Sequence, residues 1–107
     1  LSFLEHHMSD LIRRTGPTIA VSATTTSSAA QAIDPTSPWV RVLNAPGGAI
    51  TCIAFGTSSI VATAADLPLA AGQVPELLWK GGASHFAVIT LATTATIYAT
   101  PGELVSN

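Results

Sequence analysis

From residue 18 onward the chain alternates apolar and polar positions in short bursts, each cut by Gly, Pro, Asn or Ser. That is the pattern of consecutive antiparallel strands. Residues 18–22 (TIAVS) place Ile19 and Val21 on one face of a first strand, and residues 29–33 form a weak second. In residues 39–44 (WVRVLN) Val40 and Val42 face one way and Trp39, Arg41 and Leu43 the other. Residues 49–55 return as a fourth strand, and residues 60–63 read as a short one before a loop marked by Asp66 and Pro68. Residues 74–80 carry Pro75 near their start, as an edge strand tolerates. Residues 85–91 (HFAVITL) are the most apolar strand, and residues 95–100 (ATIYAT) the last, closed by Pro101-Gly102. Asn44-Ala45-Pro46-Gly47-Gly48 and Gly81-Gly82-Ala83-Ser84 supply turn chemistry between them. The pattern predicts an all-β protein: a jelly-roll-like antiparallel β-sandwich of about seven or eight short strands, preceded by an N-terminal arm.

Two strands lack a polar face. Ile50, Cys52 and Ala54 share one side of the fourth strand, and Ile53 and Phe55 share the other with Thr51. In residues 85–91, Phe86, Val88 and Thr90 oppose Ala87, Ile89 and Leu91. An antiparallel sheet that meets water on one side alternates cleanly. These two do not, so their second face calls for cover. Composition sharpens the point. Charged residues are 9% of the 107-residue chain, against an average near 25% in soluble proteins. A second copy of the chain is the commonest cover for such a face. The pattern therefore predicts a homo-oligomer joined through Ile53, Phe55, Ile89 and Leu91.

The chain divides into a leader and arm (residues 1–17), a sandwich domain (18–102) and a tail (103–107). The leader LSFLEHH precedes Met8, a natural initiator, and Gly16-Pro17 stops any helical turn begun at Ser9. Leu11, Ile12, Arg13 and Arg14 form the contact stretch expected of the arm, because they hold the only adjacent basic pair. Four basic residues in all and a net charge of −2 make no stripe that tracks a phosphate backbone, so no nucleic-acid partner is expected. No apolar run approaches the ~18 residues of a membrane-spanning helix, and no membrane partner is expected.

Candidate chemistry is sparse. Ser84-His85 with Asp66 has the residue types of a triad but no nucleophile elbow. His6-His7 lacks a third metal ligand, Asp66 lacks an oxygen-rich calcium loop, and the glycine pairs lack the spacing of a phosphate loop. Cys52, the sole cysteine, reads as a small buried hydrophobe. Trp39, Trp79 and Tyr98 have the composition of a sugar-stacking platform, but Trp39 and Trp79 read as core plugs at strand ends. No catalytic residue, metal or cofactor is expected, and the chain is not read as an enzyme.

Several motifs, taken in order, carry a resemblance. They are an R-x-x-G-P-T-like leader (Arg13 to Thr18), V-R-V-L-N (Val40 to Asn44) and I-A-F-G (Ile53 to Gly56). A-T-A-A-D-L-P-L (Ala62 to Leu69), G-G-A-S-H (Gly81 to His85) and T-P-G-E (Thr100 to Glu103) follow. Together they resemble small structural proteins of tailed bacteriophages, capsid decoration or cement proteins among them. The resemblance implies a β-sandwich module that sits as a trimer on the outer capsid surface and bridges capsomers. Its partners would be itself and the major capsid protein, with the arm on the capsid or a neighbouring subunit. It implies no catalytic residues. A tail or head–tail connector accessory protein and a carbohydrate-binding sandwich are the alternatives.

Overall fold

The structure, a computed structural model, describes residues 12–72 and 74–104. The alternating stretches form strands, and the breakers separate them. In chain order the strands are β1 (Ile12–Arg14), β2 (Ile19–Ala23), β3 (Gln31–Ala32), β4 (Trp39–Asn44) and β5 (Thr51–Gly56). They continue as β6 (Leu67–Leu69), β7 (Glu76–Trp79), β8 (His85–Thr90) and β9 (Ala95–Leu104). All described pairings are antiparallel. One sheet runs β9–β4–β7, with β1 and β2 both on the far side of β9; the other runs β3–β8–β5–β6. Taken from β2 to β9, successive strands cross between the sheets, except for the neighbouring β5 and β6, in the order of a double Greek key, which is the jelly roll. The all-β sandwich expected from the pattern is the observed fold.

The core lies between the sheets. Val21, Val40, Val42, Ile53, Leu69, Phe86, Val88 and Ile97 interlock there, with Ile19, Phe55 and Leu78 packed at the margins. Each comes from the inward parity of its strand, so the period-2 pattern directly sets who is buried. Asn44 ties the end of β4 to the second sheet: its Nδ2 donates to the carbonyls of Ala49 and Leu69, both at 2.9 Å.

Four expectations are corrected. Residues 60–63 are not a strand; the segment between β5 and β6 folds over the outer face of β5 and β8, where Ile60 and Ala62 pack on Ala54, Ala87 and Ile89. Pro68 lies within a strand rather than a loop, opposite Cys52. It is tolerated because β6 is a sheet edge, where a missing N–H breaks no ladder. Pro101-Gly102 does not close the last strand. β9 continues to Leu104 because Pro101 stands beside the break between β1 and β2, where only its carbonyl is needed, by Thr15 N–H at 3.0 Å. Gly16 at that break leaves room for the proline ring: a Cβ there would lie 3.2 Å from Pro101 Cγ. Finally, the boundaries at 18 and 102 are too narrow. Ile12, Arg13 and Arg14 pair with Leu104, Glu103 and Gly102, so part of the arm and the start of the tail belong to the sheet.

Candidate functional surface

The residues weighed for catalysis do not assemble. His85 Nδ1 and Ser84 Oγ are 2.8 Å apart, but the Asp66 carboxylate is engaged in its own turn. It accepts from the Thr63 backbone N–H at 2.6 Å and the Thr63 hydroxyl at 3.2 Å. Among the described residues no three His, Cys, Asp or Glu side chains gather as a metal site would require. A depression of about 420 Å³ at one end of the sandwich is walled by Ser22, Thr24, Gly47, Gly48 and Thr94 and holds no titratable group.

One polar knot does organise the loops. Asp34 accepts from the Thr36 N–H (2.9 Å), the Thr36 hydroxyl (2.8 Å) and the Ser37 hydroxyl (2.9 Å), and the Thr15 hydroxyl bonds Ser37 in turn. These bonds, the Thr36 N–H foremost, hold the Asp34 carboxyl below the usual carboxylate range. Lys80 is only 6% exposed, and its ammonium donates to the Asp34 carbonyl (2.7 Å) and the Ala83 carbonyl (2.9 Å). Burial pushes the Lys80 ammonium below its ordinary pKa, and the Asp34 charge partly opposes that. The knot fastens residues 34–38 to the turn after β7; it is structural.

The predicted oligomer residues separate. Ile53 is turned into the core at 2% exposure, and Phe55 packs against the same core from its margin. Both sit on the inward parity of β5, so Ile53 offers no surface to another subunit while the sandwich is intact. Ile89 is half-buried under the Ile60–Ala62 cover. Leu91 alone of the four is open, at 51%, beside exposed Ile50. The apolar second face of β5 and β8 is real, but this chain covers much of it itself, with Cys52 beneath the Ala64 carbonyl. In the arm, Arg13 pairs with Glu103 on the surface, Arg14 is exposed, and Leu11 lies outside the described residues.

An exposed surface rich in aromatic and apolar side chains lies elsewhere, on the outer face of the β9–β4–β7 sheet. Because Val40 and Val42 point inward, Trp39, Arg41 and Leu43 must point outward. Register sets Leu43 beside Tyr98, Arg41 between Thr100 and Leu77, and Trp39 between Gly102 and Trp79. The two indoles meet edge to face, centroids 5.3 Å apart at 75°. Trp79 remains 64% exposed and Trp39 half-buried, so neither is a core plug. The parity of residues 39–43 already placed Trp39 outward; strand-end position was the weaker signal.

No family model matches the chain, and no curated protein matches it. Its fold is similar to a solved chain of the Bacillus endospore appendages, which form a family of disulfide-linked pili. The TM-score is 0.50 at 16% identity, over 89% of this chain and 89% of that one.

Proposed function

We propose that this chain is a non-catalytic structural subunit that associates with copies of itself in an assembly outside the cell. On the sequence resemblance, the assembly is a tailed-phage particle, where the chain decorates the capsid and bridges capsomers. The observation that carries the structural reading is the outer sheet face. Trp39, Trp79, Leu77, Leu43 and Tyr98 share it in a chain with only 9% charged residues. A face of that composition suits contact with protein better than contact with water. The pilus-like fold is in keeping with a subunit role, but disulfide linkage does not carry over: Cys52 is the sole cysteine and is buried.

The test is a thermal melt of capsids, prepared with and without the protein at matched salt, together with co-sedimentation. Binding to intact particles and a raised melting temperature are expected, since a ligand of the assembled state stabilises it by mass action. Failure to co-sediment with capsids would remove the decoration role. A carbohydrate-binding module is the second reading, and the exposure of Trp79 beside Trp39 and Arg41 favours it. Quenching of Trp79 fluorescence by oligosaccharides would select it.

A further inference from the structure

β7 is a sheet edge, and the register identifies the backbone groups it leaves open. The Lys80 N–H donates to the Pro38 carbonyl at 2.8 Å, which makes Pro38/Lys80 a hydrogen-bonded position of the β4–β7 ladder. Antiparallel alternation then makes Val40/Leu78 and Val42/Glu76 the bonded pairs. Leu77 and Trp79 therefore aim both N–H and C=O away from β4, and neither has a backbone partner among the described residues.

Natural sheets blunt such edges with inserted prolines, outward lysines or bulges. Within residues 76–79 β7 has none of these; the bulge at which the Lys80 and Gly81 N–H groups both reach the Pro38 carbonyl lies beyond its end. Pro75 precedes it, and the Lys80 side chain is folded back onto the Asp34 and Ala83 carbonyls. Its flanks are apolar instead: Trp79 is 64% and Val74 79% exposed.

We propose that β7 pairs antiparallel with β7 of a second copy about a two-fold axis through Leu78, making one continuous sheet of the two domains. The inference rests on the self-association reading above and names its surface. In this register Leu77 stands opposite Trp79 of the second copy, on both sides of the axis. Each of those two pairs exchanges two N–H···O bonds, so all the open groups of Leu77 and Trp79 are used. The side chains that meet are apolar on the outer face. Glu76 stands opposite Lys80 of the second copy, whose side chain stays folded back onto the Asp34 and Ala83 carbonyls and takes no part in the pairing. Shifting by two residues in one direction would set Pro75, which has no N–H, against Trp79. In the other direction it would set Gly81, turned away at φ 61°, against Leu77. Self-complementarity of bonds and apolar contacts is what an isologous contact requires.

The rival edge on the same sheet is β2. The Ala45 N–H donates to the Thr96 carbonyl at 3.0 Å, so the even residues of β9 bond β4 and the odd ones bond β2. Ala20 and Ser22 are thereby left open. They offer only a methyl and a hydroxyl, and β7 on β2 would grow head to tail into a ring or ladder instead of closing as a pair.

Sedimentation equilibrium of the full chain over a concentration series, with circular dichroism on every variant, tests this. A closed dimer is expected. Leu77→Pro removes an N–H that points away from β4, and Trp79→Lys places a cation on the edge; each is expected to weaken dimerisation at least about tenfold while the fold persists. Ala20→Pro is expected to leave the dimer unchanged. Amide exchange should show the amides at positions 77 and 79 protected in the dimer and unprotected in Trp79→Lys, which decides the matter if Leu77→Pro does not fold. A dimer indifferent to both β7 substitutions, or one broken by Ala20→Pro, overturns the proposal. A trimer, ring or ladder overturns the two-fold contact while keeping self-association, and a monomer at every concentration overturns both.

Discussion

The fold alters the ionisation of Asp34 and Lys80, and each makes stability depend on pH in a definite direction. The folded Asp34 carboxyl is held below its ordinary value by the Thr36 N–H and by hydroxyls. Its contribution is therefore present above the unfolded value of about 3.9 and is lost as pH falls through the lower folded value. A melting curve at each pH should show a steeper acid decline for the natural chain than for Asp34→Ala, which lacks the acceptor. Equal slopes would mean that the knot does not hold the carboxyl charged. Lys80 has the same sign of linkage, displaced to the alkaline side. Its folded pKa is lowered by burial, so the unfolded chain binds the proton more tightly and stability rises with pH between the folded value and about 10.4. Lys80→Met should abolish that rise. It should also cost about 1–3 kcal/mol at neutral pH, because the Asp34 and Ala83 carbonyls lose the donor that satisfies them. A neutral or stabilising substitution would mean that the buried charge costs more than its two bonds return.

At the scale of elements, what period-2 alternation controls was legible in the chain, and what depends on distant neighbours was not. The inward parity of Val40, Val42, Ile53, Phe86, Val88 and Ile97 follows from their own strands, and so does the outward parity of Trp39 and Leu43. Pro68 and Pro101 looked like strand ends because a proline forfeits a donor; whether that matters depends on which strand lies alongside, and that is settled only by the fold. The surface around Trp79 was half legible, by residue type but not by exposure. The cover over β5 and β8 was not legible at all. Ile60 and Ala62 alternate like strand residues, yet they insert into a sheet face instead of joining a ladder. That cover makes its own prediction. Ile60→Asp places a carboxylate against Ala54, Ala87 and Ile89 and should destabilise the domain by about 1–3 kcal/mol. Cys52, now 1% exposed beneath the cover, should then react with a thiol reagent without denaturant. A thiol that stayed inert in the variant would show that residues 57–66 are held by contacts other than Ile60.

At the scale of the whole molecule, β1 and β9 join the two ends of the described chain. Ile12 stands opposite Leu104, Arg14 stands opposite Gly102, and Arg13 is ion-paired with Glu103 on the surface. Residues 12–14 of the arm contribute backbone bonds to the edge of a sheet, and residues 1–11 lie outside the described residues. An exposed ion pair contributes little, about 0–1 kcal/mol, so what β1 adds to stability comes mainly from its ladder. The two halves should separate on truncation. Deleting residues 1–11 should leave the melting temperature within about a degree, because every described pairing survives. Deleting residues 1–14 should lower it, since the β9 backbone at residues 102–104 loses its partner and a new edge opens. If the arm also serves as the contact to a particle, the shorter deletion alone should weaken capsid co-sedimentation at unchanged stability. That pairing of measurements separates a docking role from a folding one. Loss of stability in the shorter deletion would instead assign residues 1–11 to the domain, and undiminished co-sedimentation with intact melting would leave them with no part in binding.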